Sequence, residues 1–505
     1  MLSDLIIVIP GIMGSVLARR TGDGDETLWD PGPGLAGRLL RHRQWVESLR
    51  LDGQDDPANP GWVDDIVPVG LVESKTIVPG LVRIDGYSEL HRALEQTFGG
   101  HLIEGDPLEP VSRADGRDPV RFGVPNYYRF AYDWRRDLRA SALRLHLLID
   151  EALPRLCQQR SPNANVIFIT HSMGGLLARY YIEGINPRSG ERFEGWRNTR
   201  ELLSFGTPYR GSLDAAGQLV NGFKKLFVDF SESLRSYTGV YQLLPRYRAI
   251  RDESGTWHYP HELAVDGLDT ARARSAYEDF HLVIEDGVER HRQDPSYNRN
   301  HVIPVIGYGH STQNSAFLTE GRIEVAPSLP AGVPPSLAGG DGTVPLVSAI
   351  PLDYADGAQQ STVRYQNQEH GSIQVDRRVM ATEIHNRLRA AQTNTGAVRG
   401  PVEPAGQGDP SGQPHLSIDV AKILMPGGTD INGRPAGAAT IQIHNADGPI
   451  TVTVTNLDND TEALSTTVES DEIDLPDAEG AYSILATASG GLETSSGYVV
   501  IDPAP

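Results

Sequence analysis

The segment Val166-Ile167-Phe168-Ile169-Thr170-His171-Ser172-Met173-Gly174-Gly175 limits the fold more than any other stretch of the chain. A continuous apolar, β-branched run that passes at once into serine, glycines and the helix-like LLARYYIEG predicts a buried strand turning sharply into a helix. Such a strand needs cover on both faces and neighbours of its own kind, and comparable runs occur at Leu5–Ile9, Leu202–Phe205 and His301–Ile306. Buried strands alternating with helical segments imply an α/β architecture with a mostly parallel central sheet. The leucine-spaced stretch from Leu138 to Leu156 is the clearest of those helices, and Pro154 is expected to end or kink it.

At 505 residues the chain is too long for one ordinary core. Two long segments of mixed polarity, about 27–84 and 211–300, interrupt the alternation and are expected to be cap or lid insertions. Near Thr393 the composition turns Gly/Pro-rich, so 1–392 is expected to form the α/β domain and 393–414 a linker. Beyond it, residues 415–505 read as short alternating strands between Asn/Asp/Gly turns, the pattern of a small all-β sandwich. Lys422 and Arg434 are the only basic residues after Arg399, so this part is read as a solvated accessory module whose protein partner is unknown.

The chain carries 66 acidic against 45 basic side chains, a formal charge of −21, which disfavours nucleic acid and anionic surfaces. Any contact with a lipid interface would be transient and made through a local apolar patch. Cys157 is the only cysteine, so neither an intrachain disulfide nor a cysteine metal cluster can form. No cofactor and no metal are expected. The lone thiol and the lack of a basic leader or long apolar span point to a cytoplasmic protein.

The chemistry is read from three local motifs. THSMGG matches a nucleophile elbow that lifts the Ser172 hydroxyl clear of the sheet, with Thr170 where such elbows usually carry glycine. A serine hydroxyl is a poor nucleophile at neutral pH and needs a base. Asp341 in GGDGTVP and His370 in EHGS follow in the order Ser, Asp, His, with His370 as base and Asp341 as the group that fixes its tautomer. Backbone donors for an oxyanion are expected from Met173, next to the nucleophile, and Ile12 in the glycine-lined PGIMGS.

Several motifs follow one another in the order found in the lecithin:cholesterol acyltransferase family: VIPGIMGS, GYSELHRAL, YDWR at Tyr132–Arg135, THSMGG, GTPYRG, YQLLP, GDGTVP and EHGSI. The chain resembles that family over roughly residues 4–390 and not in the β-rich tail. The resemblance implies an α/β-hydrolase fold and an acyl enzyme acting on lipid esters, as hydrolase or transferase. It implies Ser172, Asp341 and His370 as the triad, and Ile12 with Met173 as oxyanion donors. Trp29 lies near where relatives carry a lid aromatic, and Trp29 and Tyr209 are the substrate or lid candidates. Arg135 is read as structural, in a partly buried ion pair. The competing expectations are a soluble-ester or thioester hydrolase, and a catalytically silent scaffold presenting the β-domain.

Overall fold

The computed structural model describes residues 2–500 except 23, 32–43, 52, 54, 74–75, 79–81, 85, 108–123, 226–227, 299–300, 355–361, 377–378, 389–414, 422, 426, 430–434, 446–447, 460, 469–470 and 489–491. The expected linker 393–414 thus lies outside the described residues.

Seven strands form the central sheet: β1 (Leu5–Ile9), β2 (Glu104–Gly105), β3 (Tyr127–Arg129), β4 (Val166–His171), β5 (Thr199–Phe205), β6 (Val302–Gly307) and β7 (Arg364–Gln366). Their order across the sheet is β7-β6-β5-β4-β1-β3-β2, and every adjacent pair is parallel. Parallel sheets need cover on both faces, and the alternation within each strand supplies it. Leu5, Ile7, Ile9 and Phe168 enter one apolar cluster, while Ile6, Val8, Ile167 and Ile169 enter the other. Helices α2 (Leu138–Gln159) and α3 (Met173–Glu183) cover the first face, and α1 (Ser88–Phe98) covers the second through Leu90, Leu94 and Phe98.

Pro154 does not end α2, which continues to Gln159. A proline inside a helix costs about 3 kcal/mol. Leu153 and Leu156, both buried in the first cluster, hold the last turns down and offset that cost.

β1 lies between β3 and β4, so the loop after β1 and the turn after β4 leave the carboxyl ends of adjacent parallel strands side by side, the place where such sheets carry their sites. The segment 27–84 contributes to an antiparallel sheet of Ser15–Thr21, Gly24–Trp29 and Ile66–Leu71, while 211–300 is mainly helical and includes α4 (Leu213–Asn221). Arg135, fully buried, joins the first of these segments to the sheet: its guanidinium lies 2.7 Å from Asp133 and 3.0 Å from Asp64.

The tail folds into strands β8 (His415–Asp419), β9 (Ile423–Leu424), β10 (Ala438–His444), β11 (Ile450–Asn456), β12 (Thr461–Val468), β13 (Asp471–Asp474), β14 (Gly480–Ala488) and β15 (Leu492–Val500). They form a three-stranded sheet, β8-β10-β13, and a five-stranded sheet, β9-β15-β14-β11-β12, antiparallel except for the short β9–β15 pair. Leu416, Ile441, Val452, Val454, Ile484 and Tyr498 share a core separate from those of the central sheet. No helix among the described residues is long and apolar enough to cross a membrane.

Candidate active site

The turn after β4 has the strain its sequence predicts. Ser172 adopts φ 51° and ψ −125°, a conformation that a non-glycine residue rarely takes. Gly174 is obligatory here, since a Cβ would stand 2.4 Å from the Pro10 carbonyl and 2.7 Å from that of Ile9. The turn tolerates Thr170 because that side chain is accommodated within the sheet, its hydroxyl donating to Leu203 O at 3.3 Å.

Asp341 leaves the GGDG turn with Gly342 at φ +89°, and its Oδ1 accepts from the N–H groups of Thr343 (3.0 Å) and Val344 (2.6 Å). Its Oδ2 lies 2.8 Å from His370 Nδ1, and His370 N donates to Asp341 O at 2.9 Å. With the carboxylate accepting from Nδ1–H, the free lone pair of the imidazole is on Nε2. That atom is 2.9 Å from Ser172 Oγ. The structure therefore brings Ser172, His370 and Asp341 into one buried hydrogen-bonded line, although 198 residues separate the serine from the histidine.

The loop after β1 closes over the serine: a Cβ on Gly11 would meet Ser172 Cβ at 2.9 Å. Met13 in this loop is held at φ 61°, with its carbonyl accepting from Trp29 Nε1 at 2.8 Å. Among the described residues, the backbone N–H groups of Ile12 and Met173 have no hydrogen-bond acceptor. Trp29 is buried and meets Trp134 edge-on at 5.5 Å, so it supports the loop from inside the core. Tyr209 is likewise buried, and its hydroxyl donates to Ser204 Oγ at 2.6 Å.

Tyr87 and His171 were not singled out by motif, yet they tie the three loops together. His171 Nε2–H donates to the His370 carbonyl at 2.8 Å, which leaves its Nδ1 to accept from the Tyr87 hydroxyl at 3.1 Å. The same hydroxyl accepts from Gly11 N at 2.9 Å. Burial, reinforced by the adjacent His370, pushes His171 down to about 3, so it stays neutral and keeps this tautomer. The adjacency of His171 to Ser172 is the available signal.

A second carboxyl, Asp214 in the first turn of α4, faces the same region half-buried. Burial raises it to about 6, the Asp341 charge adding to the shift and His370 opposing it. Between pH 3.8 and 6 the unfolded chain ionises this group while the folded protein keeps it protonated, so stability falls as pH rises through that window. Asp214→Asn, which mimics the protonated form, is expected to stabilise the protein above pH 6 by on the order of 1–3 kcal/mol. The gain should vanish toward pH 4. Urea midpoints at several pH values read this directly, and a pH-independent difference would refute the assignment.

Comparison with known proteins adds a family signal to this geometry. Residues 124–288 match the lecithin:cholesterol acyltransferase family. The matched segment includes YDWR, the elbow with Ser172, GTPYRG and YQLLP, so the resemblance read from the motifs is borne out there. Solved structures similar to the chain include the Tle4–Tli4 complex, at 15% identity and a TM-score of 0.44, covering 77% of this chain and 98% of that one. The Bacillus licheniformis lipase BlEst2 in its propeptide form aligns at 10% identity and a TM-score of 0.30, covering 98% and 93%. Phospholipase PlaB from Legionella pneumophila aligns at 13% identity and a TM-score of 0.19, covering 81% and 86%. No curated protein matches the chain. At these scores the α/β-hydrolase fold is defined by the parallel strand order and the strand-to-helix elbow, not by the neighbours.

Proposed function

We propose that the protein is a serine-dependent lipid acyl-ester hydrolase or O-acyltransferase that works through an acyl-Ser172 intermediate. The observation that carries this reading is the buried line Ser172 Oγ, His370 Nε2, His370 Nδ1, Asp341 Oδ2, with spacings of 2.9 and 2.8 Å across its two hydrogen bonds. In the first half-reaction Ser172 Oγ attacks the ester carbonyl carbon and its proton passes to His370 Nε2. The carbonyl oxygen, now an anion, is received by the N–H groups of Ile12 and Met173, each worth roughly 3–4 kcal/mol in such a hole. The ester C–O bond then breaks and the departing alcohol takes the proton from His370. Water or an acceptor alcohol reverses these steps on the acyl-serine.

Apolar side chains surround the loop after β1. Met13, Trp29, Trp134, Phe223, Phe230 and Tyr237 pack around an apolar gap of only about 10 Å³, so an acyl chain would enter here only as these side chains move apart. In this reading residues 1–392 form the catalytic unit, with the segments about 27–84 and 211–300 as its cap, and 415–505 as the accessory sandwich.

The deciding experiment incubates the protein with mixed phospholipid vesicles and a long-chain alcohol and identifies the products by mass spectrometry. Free fatty acid alone makes it a hydrolase; new esters make it a transferase. Turnover confined to short soluble esters would narrow it to a soluble-ester hydrolase. Failure of a fluorophosphonate to label Ser172 in folded protein, with no product from any ester, would sink the reading in favour of a non-catalytic scaffold.

A further inference from the structure

The sandwich touches the central domain along one edge of the strand β15. Strand β15 pairs along its length with β14, but on its other edge β9 covers only Val499 and Val500. The open part of that edge is where an unpaired strand needs cover, and it carries Thr494, Ser495 and Ser496. All three are buried, Thr494 and Ser496 completely. The partners of Ser495 and Ser496 belong to the loop that carries His370, and the partner of Thr494, His310, is hydrogen-bonded to the turn that carries Asp341.

Ser496 Oγ donates to Glu369 Oε1 at 2.8 Å, one residue before His370, and Ser495 Oγ donates to Ser372 Oγ at 3.2 Å, two residues after it. Gln368 Nε2 donates to the Glu493 carbonyl at 3.3 Å. Asn367 adds a two-point amide bond to the other sheet of the sandwich, accepting from Leu416 N and donating to Leu416 O, both at 2.9 Å. On the acid side, Thr494 Oγ1 pairs with His310 Nε2 at 3.0 Å, and His310 N donates to Gly340 O at 3.1 Å, adjacent to Asp341. The His370 loop is neither helix nor strand, so its position depends on such side-chain contacts.

We infer that the C-terminal sandwich is a positioning element of the triad: the hydroxyls of Thr494, Ser495 and Ser496 fix the Asp341 and His370 loops at hydrogen-bonding distance from each other and from Ser172. This rests on the triad reading above. The three hydroxyl residues are positioning residues, since none touches a reacting atom. Displacement of a catalytic group by about 1 Å can cost on the order of 100-fold in rate.

The test uses the full chain. Thr494→Val and Ser496→Ala, alone and together, are compared with wild type and with Thr494→Ser, which keeps the hydroxyl. Three readouts are taken on protein shown by urea unfolding to be cooperatively folded: kcat and KM on a short p-nitrophenyl ester, the rate of fluorophosphonate labelling of Ser172, and the low-field proton resonance of the His370–Asp341 bond. The double variant is expected to lose about 10- to 100-fold in kcat with KM within about twofold, to label more slowly, and to broaden or shift that resonance. Thr494→Ser should retain wild-type behaviour. Thr494→Val, isosteric with threonine, keeps the test open where the double variant does not fold.

A folded double variant, or Thr494→Val alone, with kcat, labelling and resonance like wild type would overturn the inference and leave the sandwich a passive attachment. That result is distinct from failure of the triad, which would show instead as a Ser172→Ala protein retaining wild-type turnover, and which would remove the inference with it.

Discussion

Ser172→Ala folds like the wild type and loses on the order of 10⁴- to 10⁶-fold in kcat on any ester the protein accepts. The substitution removes one hydroxyl from a turn whose backbone is held by Gly174 and by Ser172 N donating to Phe205 O at 2.8 Å, so the scaffold survives while the nucleophile does not. What activity remains comes from the oxyanion donors and from binding. His370→Ala should be as severe, and Asp341→Asn should cost about 10⁴-fold, because an amide at this position no longer dictates which imidazole nitrogen carries the proton. Steady-state kinetics on a p-nitrophenyl ester check all three. Activity of Ser172→Ala within tenfold of wild type refutes the elbow; unchanged kinetics in Asp341→Asn would move the acid role to another carboxyl, Glu369 first.

The largest expected effect on stability is at Arg135. Its guanidinium is fully buried, 2.7 Å from Asp133 and 3.0 Å from Asp64, with the Leu49 carbonyl as a third partner at 3.3 Å. Arg135→Met leaves a buried carboxylate at Asp133 with its main counter-charge gone. Breaking a buried pair from one side typically costs about 3–5 kcal/mol, because the remaining charge is desolvated without compensation. Asp64→Asn should cost less, since Asp64 is the more exposed partner. Urea denaturation at neutral pH measures both, and a loss under about 1 kcal/mol for Arg135→Met would show that water relieves the site.

What could be read from the sequence divides along a physical line. The parallel sheet was legible because Leu5–Ile9 and Val166–Ile169 are buried on both faces, and continuous apolar runs record that burial locally. Ser172, Asp341 and His370 were legible because each sits in a short motif whose glycines and order reflect local turn geometry. Tyr87 could not be found this way: its role comes from meeting Gly11 and His171 across 76 and 84 residues, and nothing in GYSELHRAL records that. Asp214 reads as an ordinary acidic residue in the first turn of a helix, and only the tertiary neighbours shift it. The continuation of α2 past Pro154 was hidden because local propensity argues for a stop, while the packing of Leu153 and Leu156 is non-local. In the strand LETSSGYVV the run Thr494-Ser495-Ser496 carries small hydroxyls that local pattern does not tell apart from solvated ones, because their partners lie between 123 and 184 residues away.

A polypeptide is made from its N-terminus, at roughly 5–20 residues per second. Ser172 and the loop at Gly11 therefore leave the ribosome on the order of tens of seconds before Thr494–Ser496. During that interval the serine has its elbow but not a fixed base, since His370 comes later and the hydroxyls that hold its loop come later still. If the sandwich positions the triad as inferred above, Ser172 waits on a partner held by residues made after it, and full activity is reached only once the strand Leu492–Val500 has docked.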